Sequence, residues 1–463
     1  MPHCHKNSSG DDDTIVAVIT PPGEGGIAAL RLCGPLSLSI INRFFKSAYH
    51  KNKKFTPFLM RYGYFSTDDN VTLDEITAVF MPEGESYTGL DQVEIFCHSG
   101  RTVVRQILDQ LIAAGARPAA PGEFTRLAFL NGRIDLTRAE AVADIIAANT
   151  ETACRISREH LLGAYSRHIE NLRKRLVGVM ADVEASIDFP DEEIVASEPA
   201  ELIAAAEDIR DQIKELLATY TGGRIVREGF KIAIGGRPNA GKSSLFNLLL
   251  KQERALVHPT AGTTRDYLSE WLDIEGIAVN LIDTAGLREK GSRVEQDGHK
   301  QALKIMKEAD LVIWMTDISS RGWKTKLEAD LKTLNKNIML LVGNKIDLVK
   351  SKFDDKEYAD MTLMSCLNGS GFDDLKKVLT KRINDNMPDL TSGVVVTSAR
   401  HKNKLEQAIE YIGNARDKIA AEESPEITAF ELNQAVKTLD EITGKVYNEQ
   451  ILDEIFARFC IGK

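Results

Sequence analysis

The chain has 463 residues, 43% hydrophobic and 27% charged, a globular composition long enough for about three domains. Its formal net charge of −10 excludes a general basic nucleic-acid coat protein, though not a local basic patch. No apolar run approaches the ~18 residues of a membrane span, and the six cysteines are scattered without metal-type spacing; a cytoplasmic protein with no membrane association is expected.

The first residues, Met1-Pro2-His3-Cys4-His5 and then Gly10-Asp11-Asp12-Asp13, are polar, so no signal peptide is expected there. His3-Cys4-His5 reads as a frayed terminus rather than a metal site. Residues 1–128 are expected to form an α+β domain. Thr14 to Thr20 and Ile27 to Leu32 read as strands on either side of a Pro21-Pro22-Gly23 turn. Thr77 to Met81 and Val93 to Cys97 read as further strands, and Val103 to Ala114 as its one amphipathic helix.

Residues 129–225 turn to long helices. Leu172, Leu176, Val179 and Val183 keep one apolar stripe, which Pro190 ends. Leu202, Ile209, Ile213 and Leu216 carry another helix, expected to stop at Gly222-Gly223. Arg155, Arg158, Arg167, Arg173, Lys174 and Arg175 make this stretch locally basic, either as a solvated helix face or as an RNA contact.

Residues 226–387 carry the chemistry. The apolar run Lys231 to Ile234 leads into Gly236-Arg237-Pro238-Asn239-Ala240-Gly241-Lys242-Ser243, and Ser244 to Leu250 leaves as a helix would. A G-x-x-x-x-G-K-[ST] loop between strand and helix cradles phosphates on its backbone N–H groups. Lys242 then reaches the β/γ-phosphates and Ser243 holds Mg²⁺. Thr263 and Thr264 lie where switch I belongs. Asp283-Thr284-Ala285-Gly286 follows an apolar strand and supplies the D-x-x-G that senses Mg²⁺ and the γ-phosphate.

Ile338 to Gly343 reads as a buried strand ending in Asn344-Lys345-Ile346-Asp347. In N-K-x-D the Asp accepts hydrogen bonds from N1 and N2 of guanine, a donor pair that adenine lacks. Ser365-Cys366-Leu367 is the expected second guanine loop. Ser398-Ala399-Arg400 resembles that loop more closely but lies too far downstream. Together these boxes imply a Ras-like GTPase domain.

Two departures bear on mechanism. Ras-like enzymes place a water-orienting Gln after D-x-x-G, and here Leu287 stands there. Glu289 and Glu295 are the nearby carboxylates. Asn239 offers a side-chain oxygen to a monovalent cation where other GTPases receive an arginine finger, or it simply tolerates a left-handed loop conformation.

Residues 388–463 resume helical periodicity at Leu405, Ile409, Ile412 and Ile419 and run to Phe459. Helical segments on both sides of an α/β domain imply an insertion. The fold class expected is multidomain α/β: a P-loop GTPase domain inserted into an all-helical domain, preceded by the α+β N-terminal domain.

Further stretches give the whole chain a resemblance. Pro21-Pro22-Gly23, Ser86-Tyr87-Thr88-Gly89, the run Pro121 to Gly132 and the terminal Cys460-Ile461-Gly462-Lys463 are similar to the tRNA modification GTPase MnmE (TrmE) family. The resemblance implies a homodimer through the N-terminal domain with transient G-domain pairing. It implies work with the flavoprotein MnmG on tRNA, adding an aminomethyl or carboxymethylaminomethyl group at C5 of the wobble uridine. It implies that Asn239, with oxygens of His258, Thr260 and Thr263, ligates K⁺, that Ser243 and Thr264 hold Mg²⁺, and that Glu295 orients water. His258 stands where a Thr is usual.

It also implies that Arg31, Glu94, Arg133 and Lys463 bind 5-formyltetrahydrofolate or a related tetrahydrofolate one-carbon donor, with Arg133 replacing a Lys. Cys460 matches a cysteine tied to modification rather than hydrolysis. With GTP, Gly286 and Ala240 to Ser244 complete the implied nucleotide contacts. Two other readings stay open: an Era- or Der-type ribosome-assembly GTPase switch, and a folate-dependent methyl-group enzyme merely regulated by GTP.

Overall fold

The computed structural model describes residues 13–23, 25–49, 54–188, 198–256, 268–284, 302–332, 338–349, 360–387 and 394–463. The chain divides into two compact units, residues 1–143 with 440–463, and residues 144–439.

The first unit is built on a seven-stranded sheet. Its strands are β1 (Thr14–Val18), β2 (Ala28–Cys33), β3 (Phe45–Ser47), β4 (Arg61–Ser66), β5 (Thr72–Met81), β6 (Gln92–Cys97) and β7 (Ala116–Pro118). They lie in the order β3-β4-β5-β6-β2-β1-β7, antiparallel except for the parallel pair β1 and β7. Strand side chains alternate between faces. Leu30 and Leu32 of β2 and Val93 and Ile95 of β6 therefore pack into one core with Ile40, Ile41 and Phe44 of the helix Ser37–Phe44 and with Ile107 and Leu111 of the helix Arg101–Ala113.

Arg31 and Glu94 take the opposite face. There Cys33 packs with Ile15, Ala17, Ala119 and Phe124. The single expected helix is corrected: Ser37–Phe44 and Glu123–Leu130 are helical as well. Both are two-turn helices, too short for a persistent periodicity, and packing supplies their stability.

In this same unit the C-terminal residues return to the N-terminal ones. Leu452, Ile455, Phe456 and Phe459 bury against Phe129, Leu136 and Ala139. Arg126 spans Glu449 (2.5 Å) and Asp453 (3.0 Å). The last turn presses Gly462 against the end of β1, where a Cβ would stand 2.8 Å from the Val18 carbonyl oxygen.

The second unit holds a sheet of β8 (Phe230–Gly236), β9 (Arg254–Ala255), β10 (Leu268–Ile274), β11 (Ile277–Asp283), β12 (Leu311–Asp317), β13 (Met339–Asn344) and β14 (Thr362–Leu363). Its order is β14-β13-β12-β8-β11-β10-β9. The strands from β14 to β11 run parallel, whereas β10 is antiparallel to both β11 and β9. Ile232 and Ile234 of β8 face a core shared with Leu245 and Leu249 of the helix Lys242–Gln252, while Ala233 faces a second core with Val312 and Leu327. Buried on both faces, β8 reads as a continuous apolar run.

Helices from before and after this sheet meet. Pro199–Ala218 packs along Ala399–Ala420, burying Ile209, Ile213, Leu405 and Ile412. Arg416 reaches Glu207 at 3.2 Å, and the Val396 N–H donates to Thr219 Oγ1 at 2.9 Å. A helix Tyr220–Glu228 runs through Gly222 and Gly223, correcting the expected stop. The reason is close approach: a Cβ on Gly223 would lie 2.2 Å from the Val396 carbonyl oxygen. Within the basic stretch, Arg155, Arg173 and Arg175 pair with Glu159, Glu170 and Asp208. Among the described residues no helix is long and apolar enough to cross a membrane.

Candidate functional site

Strand order reverses at β8, with β11 on one side and β12 on the other. A crevice opens outside the carboxyl ends of parallel strands at such a switch point, and ligands of open α/β sheets bind there. The loop 237–241 leaves β8 at this point. Asn239 has φ 61° and Gly241 φ 102°, left-handed conformations that fold the loop back on itself and turn successive amides inward. Gly241 also lacks room for a side chain, since a Cβ would stand 2.1 Å from Asn344 Nδ2.

The helix Lys242–Gln252 begins directly after it. Lys242 is buried, and its ammonium donates to the Arg237 carbonyl at 3.0 Å. Arg237 is itself tied outward: Nε and Nη2 donate to Asp330 at 3.0 and 2.8 Å, and Nη2 reaches the Lys326 carbonyl at 3.2 Å. Ser243 is exposed and donates its hydroxyl to Asp283 Oδ2 at 2.9 Å. Ser244 and Asn239 are exposed too. Beside the loop, a cavity of about 350 Å³ is lined by Arg237, Asn239, Met315, Asp317 and Trp323.

The end of β13 closes the other side. Asn344 is buried; its Nδ2 donates to the Ala240 carbonyl at 2.8 Å and its Oδ1 accepts from the Cys366 N–H at 3.0 Å. One amide thus joins the phosphate loop to the loop Ser365-Cys366-Leu367. Ser365 is fully buried and its Oγ accepts from the Leu367 N–H at 3.3 Å. Burial, with the Asp347 charge nearby, pushes the Cys366 thiol up to about 11. Ser398, by contrast, immediately precedes the helix Ala399–Ala420. Lys345 turns left-handed at φ 68° before the short 3₁₀ turn Ile346–Leu348, leaving Asp347 exposed.

In the first unit, register sets Arg31 of β2 opposite Glu94 of β6. Arg31 Nε and Nη2 donate to Glu94 Oε1 at 3.0 and 2.8 Å, and Gln92 Nε2 adds a third bond at 3.2 Å. The Arg31 guanidinium lies 5.4 Å from the ring centres of both Tyr87 and Phe124. Arg133 donates to the Gly84 carbonyl at 2.7 Å and packs against the loop that carries Tyr87. Cys460 is exposed, its carbonyl accepting from the Lys463 N–H at 3.3 Å.

His258, Thr260, Thr263, Thr264, Gly286, Glu289 and Glu295 lie outside the described residues. Sequence reasoning passed over Asp317 and Asp330, and it quoted the stretches that hold Tyr87 and Phe124 without assigning those two rings a place in a site. Asp317 carried a readable signal, a lone acid closing the apolar strand Leu311–Asp317 at the ligand-binding edge. Asp330 carried none.

Residues 136–460 match the family model of the MnmE helical domain, and residues 14–133 that of the GTP-binding protein TrmE N-terminus. The tRNA modification GTPase MnmE of Natranaerobius thermophilus is 41% identical over 98% of this chain and 100% of its own length. Those of Carboxydothermus hydrogenoformans and Aquifex aeolicus are 37% and 38% identical, over 98% and 97% of this chain and the whole of their own lengths. These matches span nearly the whole chain and the whole of each relative, and the chain belongs to the MnmE (TrmE) family of tRNA modification GTPases.

Proposed function

We propose that this protein hydrolyses GTP as one component of a tRNA-modifying complex. The observation that carries the reading is the Asn344 side chain, whose one amide links the phosphate loop to the guanine loop within a chain matched end to end by tRNA modification GTPases. Loop amides and Lys242 meet the phosphates, and Asp347 accepts from guanine N1 and N2. The paired oxygens of Ser243 and Asp283 suit a hard cation; with Thr264 they hold Mg²⁺, which when bound neutralises phosphate charge. Glu295 orients the attacking water.

K⁺ is held by Asn239 with oxygens of His258, Thr260 and Thr263, and supplies the positive charge that an arginine finger brings elsewhere. The exposed Asn239 side chain fits that task, and G-domain pairing closes the site. In the N-terminal unit, a carboxylate bonded to an arginine that lies beside two aromatic rings fits a flat pterin bearing amine donors. Arg31, Glu94, Arg133 and Lys463 hold 5-formyltetrahydrofolate or a related donor, which supplies the one-carbon unit.

With the flavoprotein MnmG, the homodimer installs a (carboxymethyl)aminomethyl group at C5 of the wobble uridine of tRNA in the cytoplasm, Cys460 taking part in modification. The corresponding domains are 1–128, 129–225 with 388–463, and the GTPase at 226–387. Nucleoside analysis of tRNA from cells lacking the protein tests this: loss of the wobble modification is expected. Unaltered tRNA with accumulating ribosome precursors would overturn it in favour of an assembly GTPase.

A further inference from the structure

The residue that follows Asn344 sits in an unfavourable conformation with a specific tether. Lys345 has φ 68°, a region that side chains other than Asn and Asp seldom adopt outside enforced turns. That turn is what swings the chain from the end of β13 into Ile346–Leu348 and brings Asp347 to the surface. The Lys345 ammonium meets Asp317 Oδ2 at 2.6 Å. Asp317 closes β12 and lies in register with Asn344 on the neighbouring parallel strand. Its other oxygen accepts from the Ser319 N–H at 3.0 Å and from the Ser319 hydroxyl at 2.6 Å. The carboxylate is therefore fixed before Lys345 reaches it. Both partners are mostly shielded, with side chains 32% and 21% exposed. Burial alone would raise the Asp317 carboxyl, but the Lys345 ammonium and Ser319 outweigh it and hold it below the usual carboxylate range.

We propose that Asp317 is a positioning residue for guanine recognition, anchoring Lys345 and thereby the left-handed turn that presents Asp347 to the base. This rests on the reading of Asp347 as the acceptor for guanine N1 and N2. Asp317 touches neither base nor phosphate in this role; it acts through Lys345. The consequence is selective. Losing the anchor weakens the contact at the base and leaves the phosphate loop intact. Inosine diphosphate lacks the exocyclic amine, so it has less to lose than GDP.

Titration calorimetry of the full chain with GDP and with inosine diphosphate, both with Mg²⁺, reads this directly. Asp317→Asn keeps an acceptor for Ser319 and removes the charge. The expected result is a GDP affinity about tenfold lower and a smaller loss for inosine diphosphate, so that the preference between them narrows. An equal loss for both ligands, or no loss, overturns the proposal. Asp347→Asn is the control. If it leaves the preference intact, the base reading itself fails. If it abolishes the preference while Asp317→Asn does not narrow it, only the role of Asp317 fails. Should Asp317→Asn not fold, Lys345→Met must narrow the preference in the same way; an unchanged preference there overturns the proposal equally.

Discussion

Asn344 and Ala240 stand 104 residues apart in sequence and are joined by a 2.8 Å bond from the Asn344 amide to the Ala240 carbonyl. The same side chain accepts from Cys366, so both its functional atoms are used inside the protein. Removing it leaves a buried carbonyl and a part-buried N–H without their partner, a cost of about 1–3 kcal/mol. Asn344→Ala is expected to lower GDP affinity roughly ten- to hundredfold by calorimetry. Affinity within twofold of wild type would show that the two loops are held by other means.

The clamp from Arg237 to Asp330 should matter more for turnover than for stability. Arg237 is about half exposed, so the ion pair contributes under ~1 kcal/mol. Its carbonyl, however, receives the Lys242 ammonium. Asp330→Ala is expected to leave the thermal midpoint within a few degrees of wild type, while kcat/KM for GTP falls severalfold. An unaltered kcat/KM would sever the clamp from catalysis.

Leu287 has no polar group with which to orient water, and Glu295 is the residue proposed for that task. Orientation acts in the transition state, so Glu295→Ala should cut kcat by about two orders of magnitude with GTP affinity little changed. Single-turnover kinetics at saturating GTP would measure it, and a wild-type rate would move the role to another group.

The cation proposed at Asn239 predicts a salt effect. GTP hydrolysis is expected to run at least about tenfold faster in K⁺ than in Na⁺ at equal ionic strength, because the two ions differ in the coordination they accept. Asn239→Ala should remove the difference. Equal wild-type rates in both salts would end the idea.

Thiol chemistry should sort the cysteines by burial. Burial pushes Cys33, Cys97 and Cys366 each up to about 11, so at pH 7.5 they remain protonated and unreactive. Cys154 and Cys460 are exposed. Alkylation followed by mass spectrometry should label these two at pH 7.5 and reach Cys366 only as the pH climbs toward its own value. Labelling of Cys366 as fast as Cys460 at neutral pH would contradict the burial that raises the Cys366 thiol.

The loop after β8 and the turn after β13 were legible in sequence because each is a contiguous run whose backbone must adopt one path. Glycine, lysine and hydroxyl at fixed spacing are what that path requires. The apolar runs around them were legible for a similar reason: strands buried on both faces carry few polar residues. Fold class followed from those two signals. The short helices Ser37–Phe44 and Glu123–Leu130 were not legible, since two turns carry too little periodicity and take their stability from contacts made elsewhere.

Gly222 and Gly223 misled for the opposite reason. Glycine commonly marks a helix end, but here it admits the backbone of Val396 from far along the chain. The sequence alone carried the GTPase motifs and the strand and helix that flank the phosphate loop. Only tertiary structure decided that Arg31 faces Glu94 and that Asp317 holds Lys345. Strand register and strand order set those neighbours, and both depend on pairings between residues far apart in the chain.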